Sequence, residues 1–158
     1  MIPAILVKGV AEQIREATKL YKMQAEGQED KKVSVYEQHI PDDEFRDDSY
    51  YPLVVVSCQN VEDTAEGSTA TIGLTIGVYG QDKDSWLDLM SIMERIRQRL
   101  LLVQKIDDIF RLILPTKFET IENQPYPYWF GYGTLVYQIP EPNARVALEL
   151  NAIMEEDN

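Results

Sequence analysis

The chain carries one histidine, His39, and one cysteine, Cys58. Two such residues cannot build a tetrahedral zinc site from Cys and His. A Cys58–His39 nucleophile pair is formally open. Cys58, however, follows the apolar run Leu53–Val56, where a free cysteine behaves as a small buried hydrophobe. Oxygen ligands are more plentiful. Residues Pro41–Asp48 offer Asp42, Asp43, Glu44, Asp47 and Asp48 to a hard cation, but the run lacks the spacing and turn glycine of an EF-hand and reads as a solvated loop. A glycosidase-type carboxylate pair cannot be picked from 27 acids without a fold. The GxGxxG, Walker A, GxSxG and HExxH patterns are missing from the sequence. The residue inventory therefore points away from the common enzymes, and neither a metal nor a cofactor is expected.

The charge balance excludes a second class. With 27 acids against 15 basic residues the formal net charge is −12, which opposes general binding to nucleic-acid phosphates. The same charge suits solubility, or a surface past which DNA slides without sticking. One cysteine allows no internal disulfide, so a reducing compartment is expected. No apolar run is long enough to span a bilayer. The start, Met1–Tyr21, is apolar only briefly and lacks a small-residue cleavage site, unlike a secretory signal.

The elements that would position any site follow from periodicity. At 158 residues the chain fits a single domain. Ile2, Leu6, Val10, Ile14, Ala17 and Tyr21 recur at helical steps, predicting an N-terminal helix over 1–26 that ends near Gly27. Strands are predicted at Val33–Ile40 and from Leu53 through Cys58; three adjacent valines in the second suggest burial on both faces. Asn60–Ser68 reads as a long acidic loop containing Glu62, Asp63 and Glu66. Thr69–Tyr79 alternates strictly, with Ile72, Leu74, Ile76 and Val78 on one face and Thr71, Gly73, Thr75 and Gly77 on the other. A central helix is expected over 85–103, opened by a capping-box-like Ser85 and Asp88. Its stripe is Leu89, Ile92, Met93, Ile96, Leu100 and Val103, with Asp88, Glu94, Arg95, Gln98 and Arg99 off it. Phe110–Thr120 is a strand interrupted by Pro115, hence an edge or a bulge. Trp129–Pro140 is the last strand of a sheet region over 33–140. The tail, 141–158, holds a short helix over Ala144–Met154. The expectation is an α+β fold: a mostly antiparallel or mixed sheet of about five strands, with two main helices packed on one face.

Two surfaces look made for covering. The glycine-bare face of Thr69–Tyr79 invites close approach, either by a helix of the same chain or by a neighbouring subunit. The segment Pro125–Gly133 concentrates Tyr126, Tyr128, Trp129, Phe130 and Tyr132. Such a cluster is either an aromatic corner of the core or a protein contact. Trp86, Tyr50 and Tyr51 could join it.

The whole-chain pattern resembles the tail terminator and tail completion proteins of tailed bacteriophages, prophage copies included. The likeness runs over about Ile2 to Pro140. It rests on the leading amphipathic helix, Tyr51–Val56, the alternating strand ending Val78–Gly80, Gln81–Asp84 before a long helix with Met93, Glu94, Ile96, Arg97 and Leu100, and the aromatic turn before Tyr137–Pro140. It implies a structural protein with no reaction to catalyse. Such proteins form a ring, commonly of six copies, that caps the tail tube and offers a docking surface to the head-tail connector while DNA passes through. The implied setting is the virion tail or neck, and the host bacterial cytoplasm during assembly, with no membrane. A ring needs two different patches on each subunit, and the glycine-bare face and the aromatic turn are the candidates. The acidic residues Asp42 to Asp48 and Glu62 to Glu66 are candidates for the opening, where they would repel DNA. The alternatives are a head-completion or neck connector protein of the same phages, a small hydrolase or metal-assisted nuclease using the acidic loop, and a monomeric regulatory binding module.

Overall fold

The computed structural model describes residues 2–40, 47–141 and 151–155. Its elements are α1 (Ile2–Thr18), β1 (Ser34–Glu37), β2 (Leu53–Thr64), β3 (Gly67–Tyr79), α2 (Ser85–Leu102), β4 (Lys105–Ile106), β5 (Phe110–Thr120) and β6 (Tyr128–Ile139). The six strands form one sheet in the order β1-β2-β3-β6-β5-β4. Only β1 and β2 run parallel; every other neighbouring pair is antiparallel. The fold is α+β as expected, with the two-residue β4 as the extra strand.

Both helices lie on one face and build the larger core. α1 contributes Ile5, Leu6, Val7, Val10, Ala11 and Ile14; α2 contributes Leu89, Ile92, Met93, Ile96 and Leu100. Facing them from the sheet are Val54, Val56, Ile72, Leu74, Ile76, Val78, Leu135 and Tyr137. Full burial of each aliphatic side chain stabilises by roughly 1.5–3 kcal/mol, so the helical stripe and the strand alternation reinforce one another. The opposite face carries a second, smaller cluster: Ile40, Tyr51, Leu53 and Val55, with Tyr36, Tyr50, Tyr79, Tyr128 and Phe130 against it. This explains the valine run. Leu53, Val54, Val55 and Val56 are all buried because β2 feeds both clusters alternately.

Four expectations change. The N-terminal helix stops at Thr18, well short of residue 26. The Thr18 hydroxyl donates to the Ile14 carbonyl at 2.9 Å, and the chain beyond it is drawn onto Asp88. The Tyr21 hydroxyl and the Gln24 and Ala25 backbone N–H groups all donate to that carboxylate, at 2.6, 2.8 and 2.8 Å. Asp88 is accordingly buried, not on the outer face of α2. Nor is there a capping box: Asp84 is the N-cap without a side-chain cap bond, and the Ser85 hydroxyl donates to the Asp82 carbonyl at 2.8 Å. The acidic stretch after Cys58 is not a loop. β2 and β3 pair through Thr64↔Gly67, leaving a two-residue turn at Ala65 and Glu66. Alternating pairing satisfies the backbone even where the side chains are polar, which hydropathy alone does not reveal.

Other boundaries hold closely. α2 spans Ser85–Leu102, and β5 spans Phe110–Thr120 with its register broken between Ile113 and Lys117, around Pro115. Of the expected C-terminal helix, residues 144–150 lie outside the described residues. Residues 151–155 are helical, and Ile153 and Met154 pack on the larger core.

Candidate functional site

β6 distributes the aromatic segment by simple alternation. Tyr128, Phe130 and Tyr132 pair with Tyr79, Gly77 and Thr75 on β3 and share the helix-free face. Trp129 turns to the helix side, packs on the larger core and donates its indole N–H to the Gly80 carbonyl at 3.0 Å. Tyr126 precedes the strand and is 62% exposed. Its ring meets Trp129 edge-on at 6.2 Å, and its hydroxyl donates to the Gln81 carbonyl at 2.8 Å.

The glycine-bare strip is covered from within. A Cβ on Gly77 would stand 2.7 Å from the Tyr51 ring and 3.0 Å from that of Phe130. A Cβ on Gly73 would meet the side chain of Gln59, the residue skipped where the β2–β3 register shifts. Thr75 is half-buried between them. The close approach predicted from glycine is present, but it comes from the same chain: from Gln59 on β2, from Phe130 on β6 and from Tyr51, which precedes β2. Tyr51 is the hub, with Tyr128 at 5.0 Å and Phe130 at 6.0 Å. Burial pushes its hydroxyl pKa up, with Tyr128 and Tyr132 adding to the shift. The twin tyrosines thus join the aromatic cluster, but Tyr51 does so as a fully buried core residue with Tyr50 packed against it. Trp86, on the exposed side of α2, is not among that cluster's residues.

Gly73, Thr75 and Gly77 lie directly beside Thr134, Tyr132 and Phe130. The two candidate patches are therefore one continuous surface, whereas a head-to-tail ring contact requires two separate ones.

The acidic candidates separate instead. Asp42, Asp43 and Glu44 lie outside the described residues. Asp47 caps a single 3-10 turn, Asp48–Tyr50, by accepting the Ser49 N–H at 3.0 Å. Bonding to Ser49 holds the Asp47 carboxyl below its usual range. This turn sits at the aromatic end, where the charges of Asp48 and Asp47 help raise the Tyr128 hydroxyl, after burial as the main cause. Glu62, Asp63 and Glu66 occupy the other end of β2, near its hairpin turn. The twelve-residue strand puts the two acidic groups about 35 Å apart.

His39 is exposed, and Cys58 is half-buried, its Sγ directed to the Asn60 carbonyl at 3.6 Å. Burial raises the Cys58 thiol pKa, the opposite of nucleophile activation. Cys58 lines a mainly apolar cleft of about 520 Å³ with Pro3, Ala4, Val7, Lys8, Glu37 and Gln38. In the adjoining cleft Glu12 and Glu37 are already paired with Arg15 and Lys8. Among the described residues no three His, Cys, Asp or Glu side chains gather as a metal-binding group. No described helix is long and apolar enough to cross a membrane.

Sequence reasoning missed two features. Asp88 reads from the sequence as an acidic residue in the first turn of a helix, where solvent is its usual place; only the approach of residues 21–25 explains its burial. The open outer edge of β2 is the other, because strand order decides which edges lack a partner, whereas Pro115 already marks β5 as an edge or a bulge. No known family model matches the chain, and no curated protein matches it.

Proposed function

We propose that the protein is a structural tail terminator of a tailed phage or prophage. In this reading it assembles as a ring on the end of the tail tube and presents a docking surface to the head-tail connector. The reading draws on the likeness in element order and short phrases. The observation that carries it is the one-sided dressing of the sheet. Both helices and the larger core occupy one face, while the other has no described helix across it, its small aromatic cluster leaving Tyr128, Phe130 and Thr75 half-buried and Tyr132 and Thr134 exposed. Such a surface offers area for protein contact at low entropy cost and no converging groups for chemistry.

The test is addition of the purified protein to tail tubes polymerised from the tube protein of the same phage or prophage genome. Negative-stain images should show a ring on one end of each tube, and capped tubes should stop elongating. Unaltered growth and bare tube ends would overturn the proposal.

A further inference from the structure

The candidate patches merge into one surface, so they cannot supply both contact sites of a ring. The sheet supplies them at its opposite edges. β1 covers the outer side of β2 only at Leu53–Val56, and the Gln38 side chain accepts the Cys58 N–H at 2.7 Å. Among the described residues, no strand pairs with the outer side of Gln59–Thr64. On the far side, Gln104 and β4 cover β5 only at Phe110–Leu112, the Leu112 N–H donating to the Gln104 carbonyl at 2.8 Å, and among the described residues no strand pairs with the outer side of Pro115–Thr120.

We infer that the outer edge of β2 at Gln59–Thr64 pairs antiparallel with the outer edge of β5 at Pro115–Thr120 of a second copy. The inference rests on the ring reading and names its subunit contact. Four independent features fit. First, the lengths match. Thr64 is the last residue of β2 before the hairpin turn and Pro115 stands at the bulge, while Thr120 ends β5 where β1 takes over near Cys58. Second, the directions match. β2, β3, β6 and β5 alternate, so a repeated copy in the same orientation brings its β2 antiparallel to the preceding β5. Third, the faces match in a single register. Setting Val61 opposite Phe118 sets Glu62 opposite Lys117. Val61, 43% exposed, lies on the helix side, and the groove beside β5 there is floored by Met90, Met93 and Phe118.

The fourth feature is charge. The β2 hairpin carries Glu62, Asp63 and Glu66 and no basic residue. The open edge of β5, Pro115–Thr120, carries Lys117 and Glu119 and so, unlike the β2 hairpin, offers a basic side chain. Lys117 does meet Glu119 at 3.0 Å, but its side chain is 75% exposed, so that pair holds it weakly. Charged edges ordinarily resist pairing. Here they reject a β2–β2 contact and admit β2 with β5, which is how an interface gains specificity.

The register also has a geometric consequence. Glu62 lies level with Thr69, Gln138 and Arg111, whereas Lys117 lies level with Thr134. Each copy thus steps four residues along β6, from Gln138 to Thr134, for the four strands β2, β3, β6 and β5 that it adds. A step of about one residue per strand corresponds to a strand tilt of about 36°, the value at which sheets close on themselves.

Zero-length carbodiimide cross-linking of mixed 14N- and 15N-labelled protein, mapped by mass spectrometry, tests the pairing. Within one chain the two edges are three strand spacings apart, about 14 Å, so a Glu62–Lys117 link reports two copies. That link is expected in mixed-isotope form. Glu62→Lys or Lys117→Glu alone should weaken association about fivefold per contact, and the double exchange should restore it. Circular dichroism checks that the variants are folded. If no such link forms and the single exchanges associate like the wild type, the pairing is wrong. Tube capping separates the two ideas: capped tubes without the link leave the ring and remove this contact. The link with open chains and bare tubes keeps the contact and removes the ring.

Discussion

The Tyr21 hydroxyl donates to the Asp88 carboxylate at 2.6 Å across a buried junction between the segment after α1 and the first turn of α2. The same carboxylate accepts the Gln24 and Ala25 N–H groups, and Arg95 lies over the Tyr21 ring at 5.1 Å. One side chain thereby ends the helical course of the N-terminal segment and pins it to α2. Replacing Asp88 with alanine leaves two buried donors and one part-buried donor without that acceptor. The expected loss is about 3 kcal/mol or more, read from urea unfolding. Asp88→Asn keeps an acceptor oxygen and should lose less.

Alkaline pH should act through the same junction. Burial, with the bond to Asp88, pushes the Tyr21 hydroxyl up to about 12, and burial raises those of Tyr51 and Tyr137 as well. A folded pKa above the unfolded value, about 10, means that folding favours the protonated phenol. The corresponding stability is intact below about pH 10 and is lost as pH rises toward about 12. Phenolate absorbance should lag behind that of the urea-unfolded chain over this window. Tyr21→Phe should flatten the pH dependence of the urea midpoint. A lag-free titration would contradict the assignment.

Gly77 and Gly73 share a face but should respond differently to alanine. At Gly77 the new methyl meets two aromatic rings, Tyr51 and Phe130, that are themselves packed. A cost of about 1–3 kcal/mol is expected. At Gly73 it meets the end of Gln59, an exposed flexible side chain that can swing aside, and the change should stay within about 0.5 kcal/mol. Thermal unfolding of the two variants gives the comparison.

Trp129 and Tyr126 separate folding from assembly. Trp129→Ala removes core packing and the bond to Gly80, and should destabilise by about 2–4 kcal/mol whether or not rings form. Tyr126→Ala removes an exposed ring and its bond to Gln81, for about 1 kcal/mol. Sedimentation of Tyr126→Ala should therefore match the wild type if the copies meet at the β2 and β5 edges, whereas sedimentation of Trp129→Ala is confounded by damage to the monomer. Identical stability losses in the two variants would show that this division is wrong.

The sequence alone determined the α+β class, the position of α2, the alternation of β3 and β6, and the break at Pro115. In each case a periodic side-chain pattern or a missing N–H acts locally, so neighbouring residues suffice to read it. Tertiary structure decided what depends on distant partners. α1 ends at Thr18 because Asp88 captures residues 21–25. β2 runs on through Glu62 and Asp63 because β3 pairs with it there. The two candidate patches became one surface because β3 lies beside β6, and the unpaired stretch of β2 emerged only from the strand order. Backbone hydrogen bonding between strands carries no signature in side-chain hydropathy, so no reading of the residues in order could assign it.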